Sequence, residues 1–396
     1  MTALVNLEKQ IKRHIIAPRH HCYAITAPGM EQLCAQELAD LSDPIQVEAT
    51  VRGGVVFSAR LEALYQANLH LRTAGRLLLR VAEFKATNFR QLEKKCAAVP
   101  WERYLPWGAL PACKVTSHQS RLYHSQAVAQ HVSLAMAACW RDRGAAPADA
   151  PDQSLFVRLD QDLVTLSLDS SGANLYRRGL KTHGGQAPLR ETLAAAILRM
   201  AGYDPERPLL DPMCGAGSFA LEAALWAKQI PPGFYREFAF MQWPAFRPRQ
   251  WQHLKNTAQK AIRPLPHPLI HASDLDPEAC RRLSACIAHH HLDDAVDVQC
   301  HDFFALQPPP ARDGHPPATG LIVLNPPYGV RLTPDRRMEI FYKRIGEKLA
   351  NDFKGWQVAL IVPSPHLIGT QPFPTTAMPL LHGGLALTLL VGRVEH

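Results

Sequence analysis

Apolar and polar positions along the front of the chain alternate in short runs. Tyr23-Ala24-Ile25-Thr26 predicts a strand that passes through Pro28-Gly29 into a helix from Met30 to Leu41. Strand-like runs follow at 46–50 and 54–57, and Ser58 is placed to cap a helix over 61–71. A strand over 77–82 and a helix over 89–99 come next. This β-α-β-β-α-β order predicts a small ferredoxin-like unit feeding a second α/β module. Lys114-Val115-Thr116-Ser117 reads as a strand, followed by His118, Ser120, Arg121, Tyr123 and His124. An apolar-faced helix over 126–140 comes after it. The Ala/Pro-rich stretch 144–151 reads as a loop, and 155–159 with 163–168 as a hairpin around Asp160-Gln161-Asp162. Residues 1–20 read as an extension, one helix at most.

The pattern changes after Leu189. Helical spacing of Leu193, Ile197 and Met200 predicts a helix over 191–201. Short apolar strands then alternate with helices: 209–210, a helix through Ala227, 269–273, a helix over 278–290, 296–300, 321–324, a helix over 337–351, and 358–362. A terminal hairpin turns at His382-Gly383-Gly384. Strands alternating with helices imply a mostly parallel sheet. The domain plan that follows is 1–20, 21–72, 73–180 and 181–396, with the last boundary between Arg178 and Pro188.

The strand Leu321-Ile322-Val323-Leu324 ends in Asn325-Pro326-Pro327-Tyr328. Such a stiff polar loop at a strand's carboxyl end is where doubly wound sheets bind ligands. Its chemistry suits an exocyclic amine on a planar base, whose lone pair is delocalised into the ring. The Asn325 oxygen and the Pro326 carbonyl could accept both amine hydrogens and localise that pair. Pro327 helps fix the backbone, and Tyr328 offers a face for a flipped base. A plain Pro-rich turn is the alternative.

Three more polar sites fall at the ends of predicted strands. Asp211-Pro212-Met213-Cys214-Gly215-Ala216-Gly217-Ser218 is a glycine-rich strand-to-helix turn. It lacks the Lys-Ser/Thr of a phosphate-binding Walker loop, and Ala220 stands where a dinucleotide fingerprint has its third glycine. Asp274, before Leu275, is placed to bond ribose hydroxyls. Asp276 before Pro277 is a helix N-cap. Asp302, with Phe303 beside it, could accept from an adenine amino group.

Taken together, these motifs over 189–396 resemble a class I S-adenosylmethionine-dependent methyltransferase of the Asn-Pro-Pro-Tyr kind. The resemblance implies a Rossmann-like sheet and S-adenosylmethionine as cofactor. It assigns Asp211, Met213, Cys214, Gly215, Gly217, Ser218, Asp274, Leu275, Asp302, Phe303 and Asn325 to the cofactor, and Asn325 to Tyr328 to catalysis. In front, 114–124, the hairpin at 155–168 and Ser171 to Gly179 resemble the RNA-binding THUMP domain, preceded by its ferredoxin-like partner. The whole of 21–396 is similar to the THUMP-containing RNA guanine-N2-methyltransferases, with the bacterial 23S rRNA enzymes nearest. Ala187 to Thr192 also matches that family and is implied to lie near the cofactor. The second catalytic half of the bifunctional members is not expected in a chain that stops at His396.

Candidate RNA contacts are Lys114, Ser117, Ser120, Arg121, Arg177, Arg178 and Lys181, since basic and hydroxyl side chains grip phosphates; a solvated basic surface is the alternative. The net charge of +8 favours a polyanionic partner. The aromatic- and arginine-rich stretch 231–268 either shapes the substrate side or forms a packed cap. The nine cysteines are scattered, which predicts reduced thiols and no zinc site. His289-His290-His291 reads as a helix end. With no signal peptide and no bilayer-length apolar run, a cytoplasmic protein is expected. Beside 23S rRNA, tRNA guanosine is the alternative substrate; DNA adenine fits the front half poorly. An inert fold serving as an RNA-binding assembly factor is the reading from another class.

Overall fold

The computed structural model describes residues 2–16, 19–41, 44–181, 189–309, 319–327, 336–364 and 372–395. It divides into two units: Met1–Thr26 with Glu31–Leu175 and Arg236–Asn256, and Ala27–Met30 with Tyr176–Tyr235 and Thr257–His396.

In the first unit the elements are α1 (Thr2–Ile16), β1 (His20–Thr26), α2 (Glu31–Ala39), β2 (Gln46–Val51), β3 (Gly54–Ala59), α3 (Leu61–His70), β4 (Ala74–Lys85), α4 (Phe89–Ala97), β5 (Ala109–His118), α5 (Ser125–Asp142), β6 (Ala148–Asp160) and β7 (Leu163–Asp169). The expected β-α-β-β-α-β run is β1 to β4. Its strands continue without a break into one seven-stranded sheet, β2-β3-β1-β4-β7-β6-β5. All neighbours are antiparallel except β5 and β6. Alternate residues of β1 are buried, so one face of the sheet holds the core. The β6–β7 turn places Gln161 and Asp162 at φ 51° and 62°, the left-handed pair that matches strand twist in a two-residue hairpin.

Three details differ from the sequence reading. Ala148 to Pro151, expected to be loop, opens β6 and pairs Ala148–Ala150 with Ala109–Pro111. Backbone hydrogen bonds to an edge strand need no apolar alternation, so the pattern hid it. Ser58 is buried inside β3, and Arg60 stands at the N-cap of α3 without a side-chain bond. The aromatic insertion is packed, but in the first unit. Phe240 stacks on Tyr65 of α3 at 4.2 Å, and the Trp243 indole donates to Gln153 Oε1 at 3.1 Å.

In the second unit, α6 (Glu191–Met200) precedes β8 (Leu209–Asp211), α7 (Ser218–Ala227), β9 (Ile270–Asp274), α9 (Pro277–His289), β10 (Val296–Cys300), β11 (Leu321–Leu324), α10 (Arg336–Asp352), β12 (Gln357–Val362), β13 (Thr375–His382) and β14 (Leu385–Arg393); α8 (Pro248–Ala261) contains a unit boundary. The sheet order is β10-β9-β8-β11-β12-β14-β13. β10 to β12 run parallel, and β14 and β13 add an antiparallel hairpin. β11 and β12 are apolar almost throughout because both sheet faces are covered. From β8 the chain builds outward through β9 on one side and later through β11 on the other. The gap between β8 and β11 is the topological switch point, where this class of sheet opens a crevice.

Candidate active site

β8 delivers Asp211 to that crevice, with only 1% of the residue exposed. Its Oδ2 accepts from the Ala220 N–H at 3.3 Å. Its Oδ1 is buried and has no hydrogen-bond partner among the described residues. Burial pushes the carboxyl from 3.8 to about 7; the Ala220 N–H opposes the rise, Asp274 adds to it and the Lys181 ammonium opposes it.

The turn after Asp211 is held by backbone bonds. Cys214 N–H donates to the Ser273 carbonyl at 2.9 Å, and Gly215 N–H to Asp274 Oδ2 at 2.8 Å. Burial pushes the Cys214 thiol up, so it is an inert core group. Met213 packs half-buried against the core around β11. Gly215 and Gly217 both have positive φ, 49° and 71°. A Cβ on Gly217 would overlap the Leu283 side chain, whereas one on Gly215 would meet nothing within 4 Å. The turn therefore leaves open space at Gly215, as a ligand-cradling backbone requires.

Asp274 ends β9 and joins two turns. Its Oδ1 accepts from Asp276 N–H at 2.9 Å while Oδ2 holds Gly215. A carboxylate has about four lone-pair sites, so acceptor capacity remains. Asp276 caps α9 through Glu278 N–H, as expected. Leu275 is 69% exposed beside it. Asp302 follows β10 and caps a short 3-10 turn through Phe304 N–H at 3.0 Å. Phe303 departs from its expected place: it is 2% exposed in the core with Ile322 and Tyr342, and offers no ring face to a ligand. After β11, Asn325 is half-buried and Pro326 buried, and Pro327 is exposed. Asn325 Oδ1 is a second buried oxygen with no partner among the described residues. Tyr328 lies outside the described residues.

The segment Tyr176 to Lys181 runs across this unit as a strap. Arg178, expected on an RNA surface, is instead internal: it donates to Glu222 of α7 at 2.8 Å, with the side chains 2% and 1% exposed. A buried cation is stable only beside such a partner. The Leu180 carbonyl bonds the His290 ring at 3.0 Å and accepts from the Cys286 thiol at 3.5 Å. Thus the triple histidine is a helix end with one structural member. Lys181, also expected on RNA, reaches the head of α7. Its ammonium donates to Ser218 Oγ at 2.9 Å and to Glu191 Oε1 at 2.8 Å. Ser218 donates in turn to the Leu189 carbonyl at 2.6 Å. Sequence reasoning missed Glu222; Glu191 lies in the stretch 187–192 that was expected near the cofactor. The available signal was one carboxylate in the otherwise apolar face of α7.

The remaining RNA candidates are dispersed. Lys114 lies over the Phe156 ring at 5.2 Å, and burial lowers its pKa, as does Arg76. Ser117 Oγ donates to the Leu122 carbonyl. Ser120 Oγ donates to His118 and accepts from Asp162 N–H, so both hydroxyls stabilise the loop. Arg121 is 73% exposed, and Arg177 is exposed as well. All nine cysteines are free thiols. Among the described residues, no cluster could hold a metal, and no helix is long and apolar enough to cross a membrane.

Five parallel strands, an antiparallel closing hairpin and polar residues at the switch point define a Rossmann-like methyltransferase sheet. Residues 178–368 match the RMKL-like methyltransferase domain, and residues 21–78 match the RlmL ferredoxin-like domain. A candidate RNA methyltransferase of Synechocystis sp. is 34% identical over 375 residues, 93% of this chain and 95% of that protein. The ribosomal RNA large subunit methyltransferase K/L of Syntrophotalea carbinolica is 35% identical over 362 residues. That match covers 86% of this chain and 49% of the relative, so the chain spans about half of that protein's length. SMU.472, a candidate methyltransferase solved with SAH, aligns with a TM-score of 0.83 at 26% identity, over 96% of this chain and 100% of that one. The chain belongs to this family of RlmK/L-like RNA methyltransferases.

Proposed function

We propose that the protein methylates the exocyclic N2 amine of a guanosine in RNA, with 23S rRNA as substrate and the cytoplasm as its place of work. In this reading residues 73–180 act as a THUMP domain beside the ferredoxin-like 21–72, and 181–396 carry the transferase.

The observation that carries the reading is Asn325. Its carboxamide oxygen is buried at the carboxyl end of β11, without a partner among the described residues, next to the strand that ends in Asp211. A buried acceptor left open costs stability, and a substrate N–H donor would satisfy it. With the Pro326 carbonyl it can hold both hydrogens of a base amine and aim the lone pair.

S-adenosylmethionine supplies a methyl group activated by its sulfonium charge. The residues present fit it. The Gly215 turn is open, Asp211 has a free oxygen for the amino-acid end, and Asp274 retains acceptor capacity for ribose hydroxyls. Asp302 and exposed Leu275 are available to the adenine. Met213, Cys214, Gly217 and Ser218 shape the turn. No residue need act as a strong base, because orientation of the amine is the main contribution.

The test is transfer of labelled methyl groups to rRNA, followed by nucleoside analysis, for the unaltered chain and Asn325→Ala. The expected product is N2-methylguanosine, with transfer falling about a hundredfold or more in the variant. Label on another base, or equal transfer by both proteins, would sink the proposal; a parallel reaction on tRNA separates the two RNA classes.

A further inference from the structure

The strap ends on a cation that the cofactor reading does not yet use. Lys181 Nζ is fixed by two bonds, to Ser218 Oγ at 2.9 Å and to Glu191 Oε1 at 2.8 Å. An ammonium has three donors, so one remains. Its side chain is 16% exposed, so the ammonium is not sealed from solvent. Ser218 is the first residue of α7, and Gly217 before it provides no side-chain cap. The positive end of α7 and the Lys181 charge therefore meet at one place. Asp211, 1% exposed, meets the same helix end through the Ala220 N–H and feels the Lys181 charge, and its Oδ1 has no partner among the described residues.

We infer that Lys181 binds the carboxylate of the cofactor's amino-acid end, while the open Asp211 oxygen accepts from its ammonium. This rests on the cofactor reading above. Charge decides the ligand class. Among the described residues Lys181 is the cation that faces Glu191, Asp211 and Asp274, so a doubly charged phosphate would meet a net-negative surrounding. A zwitterion presents one charge of each sign and meets both partners. The strap is braced for the task, since Arg178 is paired with Glu222 and the Leu180 carbonyl is held by His290 and Cys286. The Lys181 backbone therefore needs little further ordering when ligand arrives.

The experiment compares two nucleosides by calorimetry on the full chain: S-adenosylhomocysteine, which has the amino-acid end, and 5′-methylthioadenosine, which lacks it. For Lys181→Met, affinity for S-adenosylhomocysteine is expected to fall about ten- to a hundredfold, the range for a charged hydrogen bond. Affinity for methylthioadenosine should stay within about twofold, and Lys181→Arg should recover part of the loss. Because Lys181→Met leaves Glu191 without its cation, Lys181→Met with Glu191→Gln is measured beside it and must show the same selectivity. Equal loss for both nucleosides, or no loss, overturns the role of Lys181. Binding of neither nucleoside by the unaltered chain overturns the cofactor reading, and this inference with it.

Discussion

The Arg178 guanidinium donates to the Glu222 carboxylate at 2.8 Å, and both side chains are almost wholly shielded from solvent. Desolvating each charge is costly, and the pairing helps to offset it. Removing one partner takes the opposite charge away from the other in a low-dielectric interior. Arg178→Ala is therefore expected to destabilise the second unit by about 3–5 kcal/mol. Arg178→Met with Glu222→Leu should recover at least part of that. Thermal unfolding of the three proteins checks it, and a change in Arg178→Ala no larger than a surface substitution would contradict the burial.

Asp211 predicts an unusual dependence on pH. Its carboxyl is raised from 3.8 to about 7 in the folded chain, chiefly by burial. Between those values the native state holds the proton and the unfolded state does not. Stability contributed by this group is thus present at low pH and lost as pH rises through about 7. The ligand-free unaltered protein should lose melting temperature across that window relative to Asp211→Asn, which cannot ionise. Binding of S-adenosylhomocysteine should change oppositely, tightening as Asp211 becomes a carboxylate able to hold an ammonium. Parallel melting curves for the two proteins from pH 4 to 8 would contradict the shift.

The two turn glycines should separate by phenotype. Both require left-handed backbone, which costs a non-glycine residue about 1–3 kcal/mol. At Gly217 an added methyl also overlaps Leu283, whose side chain is buried. Gly217→Ala should therefore lower the melting temperature further than Gly215→Ala. At Gly215 the methyl projects into empty space, so its main effect should be weaker cofactor binding. Calorimetry and melting on both variants decide this; equal losses in both measurements would show that the turn does not divide the roles.

What could be read from the sequence was local. The period-two run at Tyr23–Thr26, the glycine turn after Asp211 and the apolar run before Asn325 each state their own conformation, and the structure has those elements. What escaped depended on distant partners. Nothing near Ala148 reveals that it will pair with Ala109. Nothing near Arg178 reveals a carboxylate waiting at Glu222, so a basic pair after a hairpin looked like a nucleic-acid surface. Lys181 had the same fate through Glu191 and Ser218. Phe303 was expected beside a ligand because of its neighbour Asp302, yet the adjacent α10 packing takes its ring into the core. The aromatics of the insertion announced burial without naming Tyr65 and Gln153 as their partners.

With Arg178 and Lys181 engaged inside the second unit, Arg121 becomes the most accessible candidate for an RNA phosphate in the first. Its side chain is 73% exposed, and Asp162 Oδ2 lies 3.6 Å from Nε. Asp162 also accepts from the Arg121 backbone N–H at 2.8 Å, so the loop is held independently of the guanidinium. Arg121→Ala should keep the fold and weaken binding to every RNA sequence alike. If it contacts one phosphate, the slope of log affinity against log salt should fall by about 0.7–0.9. Asp162 competes with the phosphate for the same cation. Asp162→Asn keeps an acceptor for the N–H and tolerates the 62° φ, so it should tighten RNA binding. Salt titrations of RNA affinity measure both effects. An unchanged slope in Arg121→Ala would mean that its charge faces solvent in the complex and that phosphate recognition lies elsewhere on the sheet.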